Sequence, residues 1–529
     1  MLKIHLVGPR TGSVLQRAIE HAPWEQAGFT VGDARADIHL LVAETPVSSA
    51  DQEDVRRQAR EAGAPLVLAG PSLRMVDGGA LDVTGAGSSP IPPLHPMRLR
   101  TTVDWPRGDV EITDTLALVP TTGSALVTAN VGLVDYPVIS VHAPGDLVTV
   151  GVGNSPDTWA NAHFLQLLHQ ALHQARGLSR PRDVGVGLLG FGAIGAEHAA
   201  SIMGTPGLQL AAACDTNSAR LDVARSLAPG IDAFEDPDDL IGASGVQAVV
   251  VSTPPNAHGT WARRALAAGR HVVIEKPMAL SAAECDAVLS EASASGLTAV
   301  VYQNRRFDPD FLQLQHLASS GSLGELFHVE AFIGGFGHPC NYWHSERSVS
   351  GGALFDWGSH VIDQLLQLMP GDIEYVTAVN HKRVWHDVTN ADHARVTLML
   401  EGGREATFVY SDLAAALKPR WYALGTRGAV VGDWRYETVV TRNAIGTLDE
   451  DVLAPADAPP VMRFVDSNGS TTTLGPPRSD AHPFHADLSL WLRYGIPMRV
   501  SGAQSRRVVS VLEAAEESAS LGGVPVKPA

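Results

Sequence analysis

Val184-Gly185-Val186-Gly187-Leu188-Leu189 runs directly into Gly190-Phe191-Gly192-Ala193-Ile194-Gly195, an apolar strand followed by glycines at G-x-G-x-x-G spacing. In such a stretch the first glycine permits a tight turn and the second lets backbone approach a pyrophosphate. The third allows close packing of helix on sheet, with the anion at the helix N-terminus. A second strand, Leu210-Ala211-Ala212-Ala213-Cys214, ends in Asp215, whose carboxylate is placed to bind ribose hydroxyls. An acid there repels a 2′-phosphate. NAD is therefore the expected cofactor, with NADP left open by Arg220 close by.

Working outward, strands Val184–Leu189, Leu208–Cys214, Ala248–Val251, Val272–Ile274 and Ala299–Tyr302 alternate with helices Ala193–Met203, Ala257–Ala268 and Ala282–Ala294. This rhythm predicts a doubly wound Rossmann domain over 183–303. Beyond it, longer alternating runs (Leu326–Ile333, Ala394–Leu400, Ala406–Tyr410) predict an α+β domain over 304–529, with an open-faced, mainly antiparallel sheet. Asp451–Gly475, rich in Pro, Thr and Asp, reads as a surface excursion, and Ala503–Leu521 as a closing helix. Upstream, Ile4–Val7, Ile38–Val42 and Pro65–Leu68 with a helix over Asp51–Ala62 give a βαβ pattern. Gly78–Pro96 reads as loop, Glu111–Leu118 and Pro137–Gly151 as strands, and Asp157–Ala175 as one helix. These make a separate flavodoxin-like α/β module over 1–177, joined by a linker at 178–182 within Gly177–Asp183.

Composition sets bounds. At 529 residues the chain exceeds one core, and roughly 150 residues per domain gives three. Lys and Arg number 39 against 57 Asp and Glu, a net charge of −18, which argues against nucleic-acid or anionic-membrane partners. Three cysteines, Cys214, Cys285 and Cys340, make no disulfide framework. With no secretory signal and no membrane-length apolar run, the expected location is the cytoplasm.

Two further stretches carry a resemblance. Val249-Val250-Val251-Ser252-Thr253-Pro254-Pro255-Asn256-Ala257-His258 precedes His271-Val272-Val273-Ile274-Glu275-Lys276-Pro277, and Gly351-Gly352 opens Ala353-Leu354-Phe355-Asp356-Trp357-Gly358-Ser359-His360-Val361-Ile362-Asp363. These resemble the nucleotide-edge segment, the Glu-Lys-Pro motif and the Asp-x-x-x-His helix of the glucose–fructose oxidoreductase / inositol dehydrogenase (Gfo/Idh/MocA) family. The resemblance covers about two thirds of the chain. It implies cofactor contacts at Gly190, Phe191, Gly192, Ala193, Ile194, Gly195, Asp215, Ser252, Thr253, Pro254, Asn256, His258, Glu275 and Lys276. It also implies that Lys276, Asp356 and His360 converge on a substrate carbinol, with Tyr302, Arg306, Trp343 and His344 as further substrate contacts.

The residues support this by themselves. Lys276 follows a strand's C-terminal edge, where open α/β sheets bind ligands. Asp356, His360, Asp363 and Gln367 fall on one helical stripe lacking Lys, Arg and Glu, opposite Leu354, Phe355, Val361, Ile362 and Leu365. Oxidising an alcohol requires a base for the hydroxyl proton. His360 is the choice, with Lys276 stabilising alkoxide character, Asp356 orienting hydroxyls and Asp363 fixing the His360 ring.

The expected activity is hydride transfer between NAD(H) and a secondary alcohol of a sugar, cyclitol, polyol or amino sugar, by a homo-oligomer (dimer or tetramer). Two alternatives stand beside it. One is a redox-neutral enzyme with bound NAD, working as an epimerase, eliminase or glycosidase by transient oxidation. The other is a dinucleotide- or sugar-sensing regulator without turnover. His338-Pro339-Cys340 with His344 matches no standard metal spacing, and no metal is expected. The first module resembles trehalose-utilisation (ThuA)-like members of the class I glutamine-amidotransferase superfamily through Tyr136–His142 and Val148–Gly153. No cysteine precedes Cys214, and Ser48-Ser49 lack a nucleophile-elbow setting, so a non-catalytic role is expected.

Overall fold

In the computed structural model the run after the linker forms a six-stranded sheet. Its order is Asp232–Phe234, Leu208–Cys214, Val184–Leu189, Ala248–Val251, His271–Ile274, Ala299–Val301, with parallel registers from Val184–Leu189 through Ala299–Val301. Counted along the chain this is 3-2-1-4-5-6, the dinucleotide-binding order. The order reverses between Val184–Leu189 and Ala248–Val251, so the turns after these two strands, at Gly190 and Ser252, flank the switch-point crevice. The structure describes all residues except 8–12, 34, 42–48, 70–96, 102–104, 106–109, 115, 117–123, 132–133, 143–146, 154, 177, 179–180, 341, 444–445, 454–459 and 476–480. Gly78–Pro96, Ser48 and part of the expected linker therefore lie outside the described residues.

Contacts in space define two units: Met1–Val184 with Met203–Leu208 and Asp480–Arg499, and Gly185–Ile202 with Gln209–Ser479 and Val500–Ala529. In the second unit the six-stranded sheet shares one apolar core with an eight-stranded sheet. The latter runs Ile373–His381, His393–Leu400, Arg404–Ser411, Leu326–Gly334, Trp421–Gly425, Gly428–Asp433, Val461–Asp466, Thr471–Thr473. It is antiparallel except where Leu326–Gly334 meets Arg404–Ser411. Alternation decides its buried face: Ala394, Val396, Leu398 and Leu400 point inward along one strand, against helices Ala353–Leu368 and Gly502–Ser520. Ser501 and Gln504 cap the latter helix reciprocally. The stretch Asp451–Gly475 is not simply a surface excursion, because Val461–Asp466 and Thr471–Thr473 extend the sheet. Its Pro- and Asp-rich composition hides the alternation that buries Met462.

The first unit holds a nine-stranded sheet, Phe29–Val31, Leu2–Val7, Ile38–Leu41, Leu66–Ala69, Leu147–Val150, Val134–His142, Ser124–Val131, Met97–Thr101, Val110–Ile112. Its parallel half has the flavodoxin-like order 2-1-3-4-5, and the rest is antiparallel. The single helix expected over Asp157–Ala175 is two, Pro156–Ala160 and Ala162–Ala175. Asn161 breaks them by adopting an extended conformation and accepting the Phe164 N–H as a cap. Helix Pro483–Tyr494 also belongs here, although the sequence reading placed it in the 304–529 domain. Tyr494 packs on the His169 and His173 rings. Among the described residues no helix is long and apolar enough to cross a membrane.

Candidate active site

The strand Val184–Leu189 delivers Gly190 into the left-handed region at φ 98°, where a Cβ would lie 2.5 Å from the Ser252 carbonyl oxygen. Only glycine lets the two crevice strands approach so closely. The Ser252 hydroxyl seals the contact, donating to the carbonyls of Gly190 at 2.7 Å and Leu189 at 3.2 Å. At Gly192, by contrast, an added Cβ would meet nothing within 4 Å. That bare backbone precedes helix Ala193–Met203, whose first turn is Ala193, Ile194 and Gly195, and it could hold a pyrophosphate. Asp215 accepts the Phe191 N–H at 2.8 Å and the Asn217 N–H at 2.8 Å, and pairs with Arg220 at 3.2 Å. Its carboxylate thus anchors the glycine loop and stands beside a cation.

The nucleotide-edge residues divide by role. Thr253 Oγ1 is buried with no hydrogen-bond partner among the described residues, an orphan that suits a ligand hydroxyl or amide. Asn256 is exposed, within a short 3-10 turn Pro255–Ala257 that follows Pro254. His258 is committed elsewhere. Its two ring nitrogens lie 2.7 Å from the Pro277 carbonyl and 2.8 Å from that of Thr253, and burial lowers its pKa. It braces the two edge loops together. Together the bare Gly192 cradle, the anchored Asp215 and the orphan Thr253 hydroxyl fit a nicotinamide dinucleotide.

Strand His271–Ile274 ends just before Glu275-Lys276. The Glu275 carboxylate is gripped by His198 Nε2 at 2.8 Å and accepts the backbone N–H of Lys276 at 3.1 Å. The peptide bond from Lys276 to Pro277 is cis. The lysine side chain reaches the first turn of helix Ala353–Leu368, where Nζ lies 2.6 Å from Asp356 Oδ1 and 3.4 Å from the Asp356 carbonyl. Burial works to raise the Asp356 pKa, but the Lys276 ammonium overcomes it and holds the carboxyl below its ordinary value.

One turn further, His360 is buried, and its Nδ1 has no hydrogen-bond partner among the described residues. Burial, and then the charges of Lys276 and Arg305, push its pKa well below the ordinary imidazole value, so the ring is neutral. Asp363 does not orient it. That carboxylate is taken bidentately by Arg306 at 2.6 Å on each oxygen, and Arg306 also reaches Gln504 at 2.8 Å. Arg306, expected to touch substrate, is a buried strut between the crossing segment and two helices. Its neighbour Arg305 instead lies over the Trp357 ring at 4.6 Å, and its charge is felt at both Asp356 and His360.

His344 stacks on Trp343 with ring centroids 3.6 Å apart, and its Nδ1 is likewise buried without a partner among the described residues. Burial lowers its pKa, while the charge of Asp356 pulls it back. Tyr302 packs its ring 4.3 Å from that of His198, and burial raises its phenol pKa. A pair missed in the sequence feels the charge of this cluster. The Tyr410 hydroxyl donates to Asp412 at 2.8 Å, and burial lifts the Asp412 carboxyl to about 6, with Asp356 among the charges acting on both. A Tyr-Ser-Asp at a strand end offered no signal. His338 binds Asp387 at 2.8 Å, and among the described residues no group of three or more His, Cys, Asp or Glu is placed to hold a metal.

Parts of the chain are similar to known proteins. Residues 184–303 match the oxidoreductase family with NAD-binding Rossmann fold, and residues 311–431 match the GFO/IDH/MocA C-terminal domain. A scyllo-inositol 2-dehydrogenase (NADP(+)) of Bacillus subtilis is 25% identical over 350 residues, covering 65% of this chain and 96% of its own. A scyllo-inositol 2-dehydrogenase (NAD(+)) of the same organism is 27% identical over 276 residues, 49% of this chain and 77% of its own. An NAD-binding protein from Listeria innocua shares the fold with a TM-score of 0.56 at 23% identity, covering 66% of this chain and 97% of its own. Neither family match reaches the first 183 residues.

Proposed function

We propose that this protein, whose residues 184–303 match the oxidoreductase family with NAD-binding Rossmann fold and whose residues 311–431 match the GFO/IDH/MocA C-terminal domain, oxidises a secondary alcohol of a cyclitol or sugar, or performs the reverse reduction. The observation that carries the proposal is the Lys276–Asp356 pair at 2.6 Å with neutral His360 one turn along the same helix. Held by the Gly190–Gly195 turn, Asp215 and Thr253, NAD would supply the hydride acceptor for the carbinol carbon. The Lys276 ammonium donates to the carbinol oxygen and stabilises the negative charge that grows there. His360 Nδ1 or its companion nitrogen takes the hydroxyl proton, which a neutral ring can do and a protonated one cannot. The burial that keeps this ring neutral also makes it a weak base, so the step depends on Lys276 to stabilise the alkoxide. Asp356 holds the ammonium in place and accepts from a neighbouring hydroxyl, and His344 and the Tyr410–Asp412 pair bound the space for the remaining polyol.

The test is a panel of inositols, aldoses and amino sugars with NAD and with NADP, followed by absorbance of the reduced nicotinamide. Net reduction with one or more polyols is the expected result. Product formation without net reduced cofactor, by protein that purifies with NAD bound, would replace dehydrogenation with a redox-neutral reaction.

A further inference from the structure

His198 lies on the helix that the glycine fingerprint opens, and it is completely buried. From its ring an unbroken series of contacts leads to the reacting-oxygen site. His198 Nε2 lies 2.8 Å from Glu275 Oε1, and Glu275 Oε2 accepts the Lys276 amide at 3.1 Å. Lys276 Nζ then sits 2.6 Å from Asp356. The Tyr302 ring flanks the imidazole at 4.3 Å and 51° and limits its rotation.

The position of this series in the sheet gives it meaning. The ladder between neighbouring strands ends with Glu275, whose amide donates to Val251 at 2.9 Å. The amide of Lys276 falls past the ladder and uses the carboxylate of its own neighbour. A contact between adjacent residues fixes nothing unless that carboxylate is itself held, and His198 holds it. The lysine above is a four-carbon stem with about 2 kcal/mol of rotamer entropy, so its backbone anchor decides where the ammonium dwells. A misplacement on the order of 1 Å in such a site costs about 100-fold in rate.

We infer that His198 is a positioning residue that keys Lys276 to the cofactor-binding helix through Glu275, so that the group holding the substrate oxygen and the helix beneath the cofactor move as one. This rests on the assignment of Lys276 to the carbinol oxygen. His258 supplies the contrast, since its two nitrogens meet the backbone carbonyls of Pro277 and Thr253 rather than a carboxylate beside Lys276.

The full-length protein tests this with His198→Leu, which fills the space without a donor, and His198→Gln, which restores an N–H near the Nε2 position. Three measurements need no substrate: NADH affinity by fluorescence, acetylation of Lys276 by acetic anhydride followed by peptide mass spectrometry, and thermal melting. In His198→Leu we expect NADH affinity within about threefold of the parent. Lys276 should be acetylated about three- to tenfold faster, the change that loosening one charged hydrogen bond allows. His198→Gln should return acetylation to the parent rate. Unchanged Lys276 acetylation in folded His198→Leu overturns the inference, as does an equal change in both variants, which would mean packing alone. Should His198→Leu not fold, Glu275→Gln is read the same way, with faster Lys276 acetylation expected and an unchanged rate overturning the role. Acetylation as expected in a protein that turns over no polyol would uphold the positioning and remove the proposed reaction.

Discussion

Lys276 Nζ lies 2.6 Å from Asp356 Oδ1, joining the end of the fifth strand of the cofactor domain to the first turn of the helix that carries His360. Lys276→Ala and His360→Ala should each lower kcat by about 100-fold or more, the usual yield of a proton-transfer or charge-stabilising group, while NADH affinity stays within about threefold. A primary deuterium isotope effect should grow as chemistry becomes limiting. Because burial and the charges of Lys276 and Arg305 keep the His360 ring neutral, its titration should not appear near pH 6.5 in kcat/KM. An inflection there that vanishes in His360→Asn would contradict this, whereas one near 6 that vanishes in Asp412→Asn would fit the raised carboxyl at that position.

Asp215 both anchors the Phe191 amide and pairs with Arg220. Asp215→Ser should weaken NADH binding about tenfold, the cost of a charged hydrogen bond, and shift preference toward NADPH as Arg220 is released to a 2′-phosphate. Fluorescence titration with both cofactors measures it. Tighter NADPH than NADH binding by the parent protein would reverse the assigned preference.

Asp392 is almost fully buried and accepts from Lys382 at 2.8 Å and from the amides of Arg383 at 2.5 Å and Val384 at 2.7 Å. Burial works to raise its pKa, yet these donors hold it at about 2. A depressed carboxyl stabilises the fold above its unfolded pKa of about 3.9 and loses that contribution as pH falls toward its folded value. Asp392→Asn should therefore cost about 2 kcal/mol at pH 7, with the difference from the parent shrinking as pH falls through about 2. Denaturant melts across that window decide it, and a constant difference at every pH would remove the ionic account.

A protein lacking residues 1–179 should still bind NADH, since Gly190, Asp215, Ser252 and Lys276 all belong to the second unit. It should also melt lower and aggregate more readily, because helix Pro483–Tyr494 loses the His169 and His173 rings it packs on. Gel filtration with NADH titration tests both points. Loss of NADH binding by a folded truncation would show that the first unit supports the cofactor site.

What could be read from the sequence followed how local each cause is. The glycine turn, the strand–helix alternation and Asp215 are decided within about 30 residues, and all stood out as pattern. Asp363 and Arg306 were misassigned because a stripe on one helix shows which side chains share a face but not what lies opposite. Their partners are each other, 57 residues apart. His198 gave no sign for the same reason, its carboxylate partner being 77 positions away. In 451–475 composition outweighed alternation, and strand residues such as Met462 and Phe464 were lost among prolines and aspartates.

The first unit is not finished where its sheet is finished. Its helix Ala162–Ala175 meets Tyr494 only after the entire cofactor domain and the large sheet have been made. At roughly 5–20 residues per second of synthesis, that interval of about 300 residues lasts on the order of 15–60 s. For that time the nascent first unit waits with the His169 and His173 surface lacking its final cover. The segment made first is thus covered by one made almost last.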